Sequence, residues 1–502
     1  MPPTCIASGR GCAAHEPGAP PAGEARRAMT AMQASARGLR PVAATGTDPW
    51  WFDAALAAGM AGFAVLAVAA GQAGLARLGY PALALLIAWS LFFGGRRPAY
   101  IVFCLFLFVI TPGVRRYVDL AAGWEQVNLV MLAPWLAAAP CLVVVLRTLT
   151  GPGFPMATGV LLVFVAACYG LGLAIIEGRA VSGAFDWLRW TVPPAFAAVT
   201  LLTLREDRAL VGRLLRFFTL AVAVTGAYGA WQFVRLPPWD AFWMRNVDLA
   251  SIGEPEPYQV RVFSLLNSPG SLGNFLLVGL IYLFAFASPA RLPALAVGCA
   301  AMLLSLNRAA WGAAALAAAY LVLLGPGALK LRATLAIAGL AVALPVALQV
   351  PEAALAVQQR IESITYLFAD TSYHERLDAY DAFLRSLGEA IMGQGLAING
   401  AYRAYLDQRQ AVFIDGQVIE AYLALGVVGG TVYFAAALAC FGAGIAAGLR
   451  SRSMLGLASS AVALAAVMLL PYSSPLLGES GMFFWLGLAL CFAPQPAREG
   501  RR

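Results

Sequence analysis

The sequence predicts an all-α fold: a polytopic bundle of about 12–14 transmembrane helices carrying a helical loop outside the membrane. Three observations predict it. First, the 502 residues are 61% hydrophobic and 12% charged. An average soluble domain is about 25% charged, and so few charges cannot cover a soluble globule of this size. Second, apolar runs of helical length recur from Trp50 almost to the end of the chain. Third, the net charge of +8 is almost wholly arginine, with Lys330 the sole lysine, and it falls unevenly on the two sides that those runs define.

Taken in order, residues 1–47 are rich in Ala, Gly, Pro and Arg and hold no long apolar run. They read as a disordered cytoplasmic tail without the apolar centre of a cleavable signal peptide, and Met29 and Met32 stand as alternative starts. The apolar runs are 54–74, 79–95, 99–113, 127–146, 156–176, 188–204, 214–234, 270–288, 292–307, 309–325, 333–350, 417–447, 453–474 and 477–493. A bilayer crossing needs roughly 17–25 residues. Several runs are short, and 309–325 is a separate span only if the chain turns tightly at Arg308. The resulting organisation is a bundle over 48–350 with an outer loop at 235–269, a large periplasmic loop at 351–416, returning helices over 417–493 and a cytoplasmic tail at 494–502.

Charge gives the orientation. With the N-terminus inside, the cytoplasmic segments hold 20 basic and 7 acidic residues, and the opposite side holds 14 basic and 19 acidic. An excess of arginine on the cytoplasmic side orients multi-span proteins, so both termini are expected in the cytoplasm. The basic balance then reports topology, with no nucleic-acid partner. Of eight cysteines, six lie in apolar runs and none forms a CxxC, and the histidines are only His15 and His374. Neither a disulfide framework nor a metal site is expected, and no cofactor.

Two outer loops stand out by length, and loops this long are functional or disordered. The first, 235–269, carries Trp239, Trp243, Arg245, Glu254, Glu256, Tyr258 and Arg261. In the second, Leu377, Tyr380, Phe383 and Leu387 share one face at helical spacing. Ser372 and Glu375 form a capping box before them, and Gly393-Gln394-Gly395 makes a turn after them.

Candidate chemistry gathers where charges meet the apolar runs on the outer side. Arg308 sits between SLN and AAWGAAALAA with no room to stand far from hydrocarbon. A charge there is costly unless paired or hydrated and marks a functional site, against the plainer reading of a snorkelling anchor. Arg261 opens RVFSLLNSPGSLGNF, with Asn267 and Asn274 near the start of the next helix. The Asn-Ser-Pro-Gly run leaves backbone N–H groups free at a helix N-terminus, which favours anions, or is an ordinary capping turn. Asp415 and Glu420 stand where the long loop returns. Glu420 lies just inside the apolar run, partly desolvated, and either carboxylate is a candidate general base. Asp415 also suits a helix N-cap. His374 and Arg376 read equally as a solvated helix start, and Asp186 and Arg189 as a local pair.

Arg261, Arg308 and Asp415 make a coherent set. Two guanidiniums bind a diphosphate bidentately without metal and stabilise its charge as it leaves, while a carboxylate deprotonates an attacking hydroxyl. That describes a transferase using a lipid-diphosphate donor outside the cytoplasm.

At these residues the sequence resembles the bacterial O-antigen ligase and O-antigen (exopolysaccharide) polymerase superfamily. RVFSLLNSPGSLGNFL (261–276) looks like the family's Arg-x-x-Gly-x-x-x-x-Pro-Asn segment, with Ser264 and a displaced Asn. SLNRAAWGAAALAA (305–318) looks like its Ser-Arg-Gly-x-Trp helix start. ERLDAYDAFLRSLGEAIMGQGLA (375–397) is similar to its Arg-containing loop helix and Gly-x-Gly turn, and DGQVIEAYLALGVVGG (415–430) to its His-Asn-x-x-Leu return into the membrane. Asp415 stands where many members have His, and Gly416 where they have Asn. The resemblance covers about 230 residues, from 261 to the end, plus the overall topology.

The resemblance implies a GT-C-like inner-membrane glycosyltransferase of surface-polysaccharide biosynthesis, metal-independent and inverting at the sugar carbon. Its donor would be an oligosaccharide on undecaprenyl diphosphate, and its acceptor a glycan (polymerase, exopolysaccharide or O-antigen) or lipid A–core (ligase, lipopolysaccharide). By carry-over, Arg261 and Arg308 bind the diphosphate and Asp415 sits at the base position. Arg376, with the loop that also holds His374, shapes the cleft, and Glu420 and Asn267 line the substrate. The missing His favours polymerase over ligase. The competing class is a secondary transporter or flippase-like protein, which predicts inverted repeats and broken helices with polar residues at midplane.

Overall fold

In a bilayer each backbone polar group must be satisfied within its own segment, so Ala-, Leu- and Val-rich runs fold as helices. The computed structural model describes residues 49, 51–149, 155–247, 250–335, 338, 349, 377–378, 380–381, 383–385, 391–398 and 416–494. Their helices, in order, are α1 (Phe52–Ala69), α2 (Ala73–Phe93), α3 (Arg97–Ala122), α4 (Ala133–Ala138), α5 (Pro140–Leu149), α6 (Ala157–Ile176), α7 (Ala180–Glu206), α8 (Ala209–Arg235), α9 (Pro238–Asn246), α10 (Pro269–Ala285), α11 (Leu292–Leu304), α12 (Arg308–Leu324), α13 (Gln417–Ser451), α14 (Met454–Leu469) and α15 (Gly478–Cys491). Six of them, α1, α2, α3, α6, α8 and α13, are long and apolar enough to cross a membrane. The described chain is thus an all-helical membrane bundle, its one β-type contact an isolated bridge between Gly253 and Val260.

The helices follow the apolar runs closely, with one correction. The run 127–146 is not one helix but a 3-10 turn (Leu129–Leu132) followed by α4 and α5, because Pro134 and Pro140 each start a helix better than they continue one. The tight turn expected at Arg308 is present: Ser305–Asn307 separate α11 from α12, with Leu306 at φ 55°. The tail 1–47, most of the run 333–350 and much of the loop 351–416 lie outside the described residues.

Helix α3 is the axis of the bundle. All eleven residues from Ala99 to Val109 are buried, whereas α1 leaves Val65 and Leu66 on the outside, as a lipid-facing helix does. Helices approach closely through small residues, the packing device of membranes. Gly226 of α8 lies so near Val297 of α11 that a Cβ would stand 2.7 Å from its backbone.

Near the end of α3 an arginine is fully buried. Arg116 Nε lies 2.6 Å from Asp240 Oδ1 of α9, neither side chain having any exposure. Its Nη1 donates to the Leu266 carbonyl at 2.6 Å, and its Nη2 to that of Ser264. The other Asp240 oxygen accepts from Tyr228 and Gln232, at 2.9 and 2.7 Å, and Gln232 Oε1 accepts from the N–H groups of Phe263 and Ser264. Buried charge is tolerable only when paired and satisfied in this way. The result is a fixed path for residues 262–268, which lead into α10.

A second joint lies in α13. The helix breaks at Gly426 (φ 70°, ψ −178°), and the N–H groups of Gln394 and Gly395 donate to the Leu423 and Ala424 carbonyls beside the break, at 2.8 and 2.9 Å. Leu396 N–H donates to Gly170 of α6, Ala397 N–H to Asp186 Oδ2 of α7 at 2.9 Å, and Arg179 donates to the carbonyls of Gln394, Leu396 and Ala397. The Gly-Gln-Gly turn is thus part of a segment, 391–398, bonded to α6, α7 and α13. The described parts of the loop helix (377–378, 380–381, 383–385) are helical. Phe383 is buried, while Leu377 is 46% exposed, so the expected apolar face turns inward only in part.

Candidate functional site

The helix starts of α10, α13 and α15 meet at one place, and each start is built differently. Ser268 caps α10, its hydroxyl accepting from Ser271 N–H at 3.0 Å, with Pro269 in the first turn. Gly416 takes the N-cap position of α13 at φ 106°. Gly416 has no side chain to cap with, and no side-chain cap bond is made there. Leu477 precedes α15, and Gly478 has φ 62°. Gln417 ties two of these starts together: its N–H donates to the carbonyls of Leu470 and Ser473, and its Oε1 accepts from Leu476 N–H, all at 3.0 Å.

Between them lies a cavity of about 370 Å³. Phe108 and Pro112 of α3, Trp135 of α4 and Phe185 of α7 form an apolar wall. Asn267, Ser268, Ser271, Asn274, Ser473, Ser474, Glu479 and Ser480 form a polar one, and Arg189 stands between. Trp135 is held edge-on to Phe108, ring centroids 5.0 Å apart.

Arg189 is the charged centre. Its Nη1 lies 2.5 Å from Asp186 Oδ1, and its Nη2 3.8 Å from Glu420 Oε1. Glu420 is 1% exposed, and its Oε2 accepts from Ser474 Oγ at 2.6 Å. Glu479 is near enough to Arg189 and Ser271 to interact with both. Asn274 donates from Nδ2 to Ser480 Oγ at 3.1 Å. The side-chain oxygens of Asn274 and Asn267 are buried with no hydrogen-bond donor. Such a cavity can position a hydroxyl-bearing ligand beside carboxylates that accept a proton.

The residues singled out in the sequence fall in three groups. Asn267 lines the cavity, and Glu420 adjoins it through Ser474. Arg261 reaches the turn that precedes Arg308: its Nη2 donates at 3.2 Å to the carbonyl of Leu306, two residues before Arg308 begins α12. Both are half-buried, and neither is among the described residues of the cavity wall. The first turns of α10 and α12 are in contact, since a Cβ on Gly273 would stand 2.7 Å from Asn307 Nδ2. Asp415, Arg376 and His374 lie outside the described residues.

Sequence reasoning passed over Arg189 and Asp186 as a pair complete in itself, and did not single out Glu479. The signal was available in α7, where Asp186, Arg189 and Pro193-Pro194 interrupt a mostly apolar helix well before its charged end. No protein-family model matches the chain, and no curated protein matches it.

Proposed function

We propose that the chain is a membrane glycosyltransferase that moves or polymerises a glycan carried on undecaprenyl diphosphate, at the periplasmic face of a bacterial inner membrane. The observation that carries this reading is the approach of Arg261 to Leu306, in the turn Ser305–Asn307 that leads to Arg308, beside the start of α10 and its polar cavity. In the proposed reaction the two guanidiniums hold the diphosphate and stabilise its charge as it departs. An acceptor hydroxyl attacks the sugar carbon from the opposite face. A new C–O bond forms, the C–O bond to diphosphate breaks, and the hydroxyl proton passes to a carboxylate, with Asp415 at the base position and Glu420 five residues on. The acceptor is a growing lipid-linked glycan or lipid A–core.

One feature favours the second reading, a transporter or flippase-like protein: α13 is discontinuous at Gly426, and discontinuous helices line transporter sites. A single experiment separates the two. Purified protein in proteoliposomes is given undecaprenyl-diphosphate oligosaccharide with and without lipid A–core, and mass spectrometry follows the glycan. Lengthening of the lipid-linked chain identifies a polymerase, and transfer to lipid A–core a ligase. Donor recovered chemically unchanged but on the other leaflet overturns the transferase reading.

A further inference from the structure

The cavity and the arginine pair differ in charge, and the difference assigns them different parts of a ligand. Asn274 is 3% exposed. Its amide is oriented by the bond to Ser480, which leaves a buried carbonyl oxygen on the cavity wall without a donor. Buried acceptors are costly unless something donates to them. The Asn267 oxygen is in the same state at the same wall. Both ask for O–H or N–H groups from a ligand, and the neighbouring serine hydroxyls can either donate or accept.

Charge argues in the same direction. Among the described residues Arg189 and Glu479 are the charges on the cavity wall, and Arg189 is already matched by Asp186 and Glu420 behind it. Two of the three helix starts here already carry an acid, Glu420 in the first turn of α13 and Glu479 in that of α15, which complements their dipoles from within, while α10 carries none. An anionic group would meet repulsion here. The opposite wall, with Trp135 and Phe108, offers an aromatic face to C–H groups. The volume of 370 Å³ equals about a dozen waters at liquid density, room for a sugar ring and its substituents.

We propose that the cavity is a saccharide subsite that takes an uncharged, hydroxyl-rich pyranose and rejects uronate and phosphate. The division of labour, with the diphosphate left to Arg261 and Arg308, rests on the transferase reading; the subsite itself does not.

Saturation-transfer NMR on the full chain in nanodiscs tests it, with methyl glycosides of glucose, galactose and N-acetylglucosamine as neutral probes and glucuronate as the anionic one. At least one neutral glycoside should receive saturation strongly, and glucuronate weakly. Asn274→Ala should weaken the neutral ligand by about tenfold, the loss of one good hydrogen bond. Asn267→Ala, at a half-buried position, should weaken it too and covers the case in which Asn274→Ala does not fold. Equal or better binding of glucuronate, no binding of any neutral glycoside, or wild-type binding by the folded variants overturns the proposal. Sugar binding without glycan transfer in the proteoliposome assay sinks the transferase reading alone; transfer without sugar binding sinks the subsite alone.

Discussion

Gly426, where α13 breaks, and Gly393 of the long loop lie backbone against backbone. A Cβ on Gly426 would stand 2.6 Å from the Gly393 nitrogen, and one on Gly393 would meet the Gly426 nitrogen closer still. Both residues have positive φ, 70° and 80°, so each is glycine for two reasons at once.

Gly426→Ala should therefore destabilise the protein, by about 1–3 kcal/mol from backbone strain alone and further from the clash. Thermal melting in detergent should show Tm lowered by several degrees. Gly59→Ala is the control, since α1 leaves open space there and alanine is the better helix former.

Arg116→Met should be worse, because it leaves the Asp240 carboxylate buried without its cation. Breaking such a pair costs about 3–5 kcal/mol. The double variant Arg116→Met/Asp240→Leu should melt above Arg116→Met, since removing both charges removes the unpaired one. A double-mutant cycle of Tm values checks the order.

Arg308→Ala should leave the protein inserted and folded but abolish glycan transfer. Arg308→Lys should retain a fraction, because an ammonium meets a phosphate as a point charge without the guanidinium fork. Initial rates on lipid-linked donor, normalised to the amount of inserted protein, provide the measurement, and full activity in Arg308→Ala would remove it from the site.

Asp415→Asn should slow transfer by about 10²–10⁴-fold, the contribution of a general base. Asn caps a helix as well as Asp does, so a loss of rate reports on chemistry. Glu420→Gln should cost less, since its carboxylate already accepts from Ser474 and faces Arg189. The reverse order of the two rates would move the base to Glu420.

The helices were legible because hydrophobic runs and their charged ends are local properties of the chain, although only six of those described are long and apolar enough to cross a membrane. The turn at Arg308 was legible for the same reason, a lone arginine between two apolar helices. The cavity was not. Asn274 meets Ser480 across 206 positions, and Asp186 meets Ala397 across 211; nothing local announces such partners. Pro134 and Pro140 were visible, but hydropathy alone outweighed them in the run 127–146. The Gly-Gln-Gly turn was seen as a turn, while its place beside the break in α13 depends on helices far away in sequence.

Asp186 turns one oxygen to Arg189 and the other to the backbone of Ala397. The docking of segment 391–398 and the charge balance of the cavity therefore share one carboxylate and form a single equilibrium. A ligand that draws Arg189 away from Asp186 alters the hold on the loop, and by reciprocity a loop that lets go alters affinity in the cavity by the same factor. Limited proteolysis of the loop, with and without a sugar in the cavity, would then read occupancy from a distance.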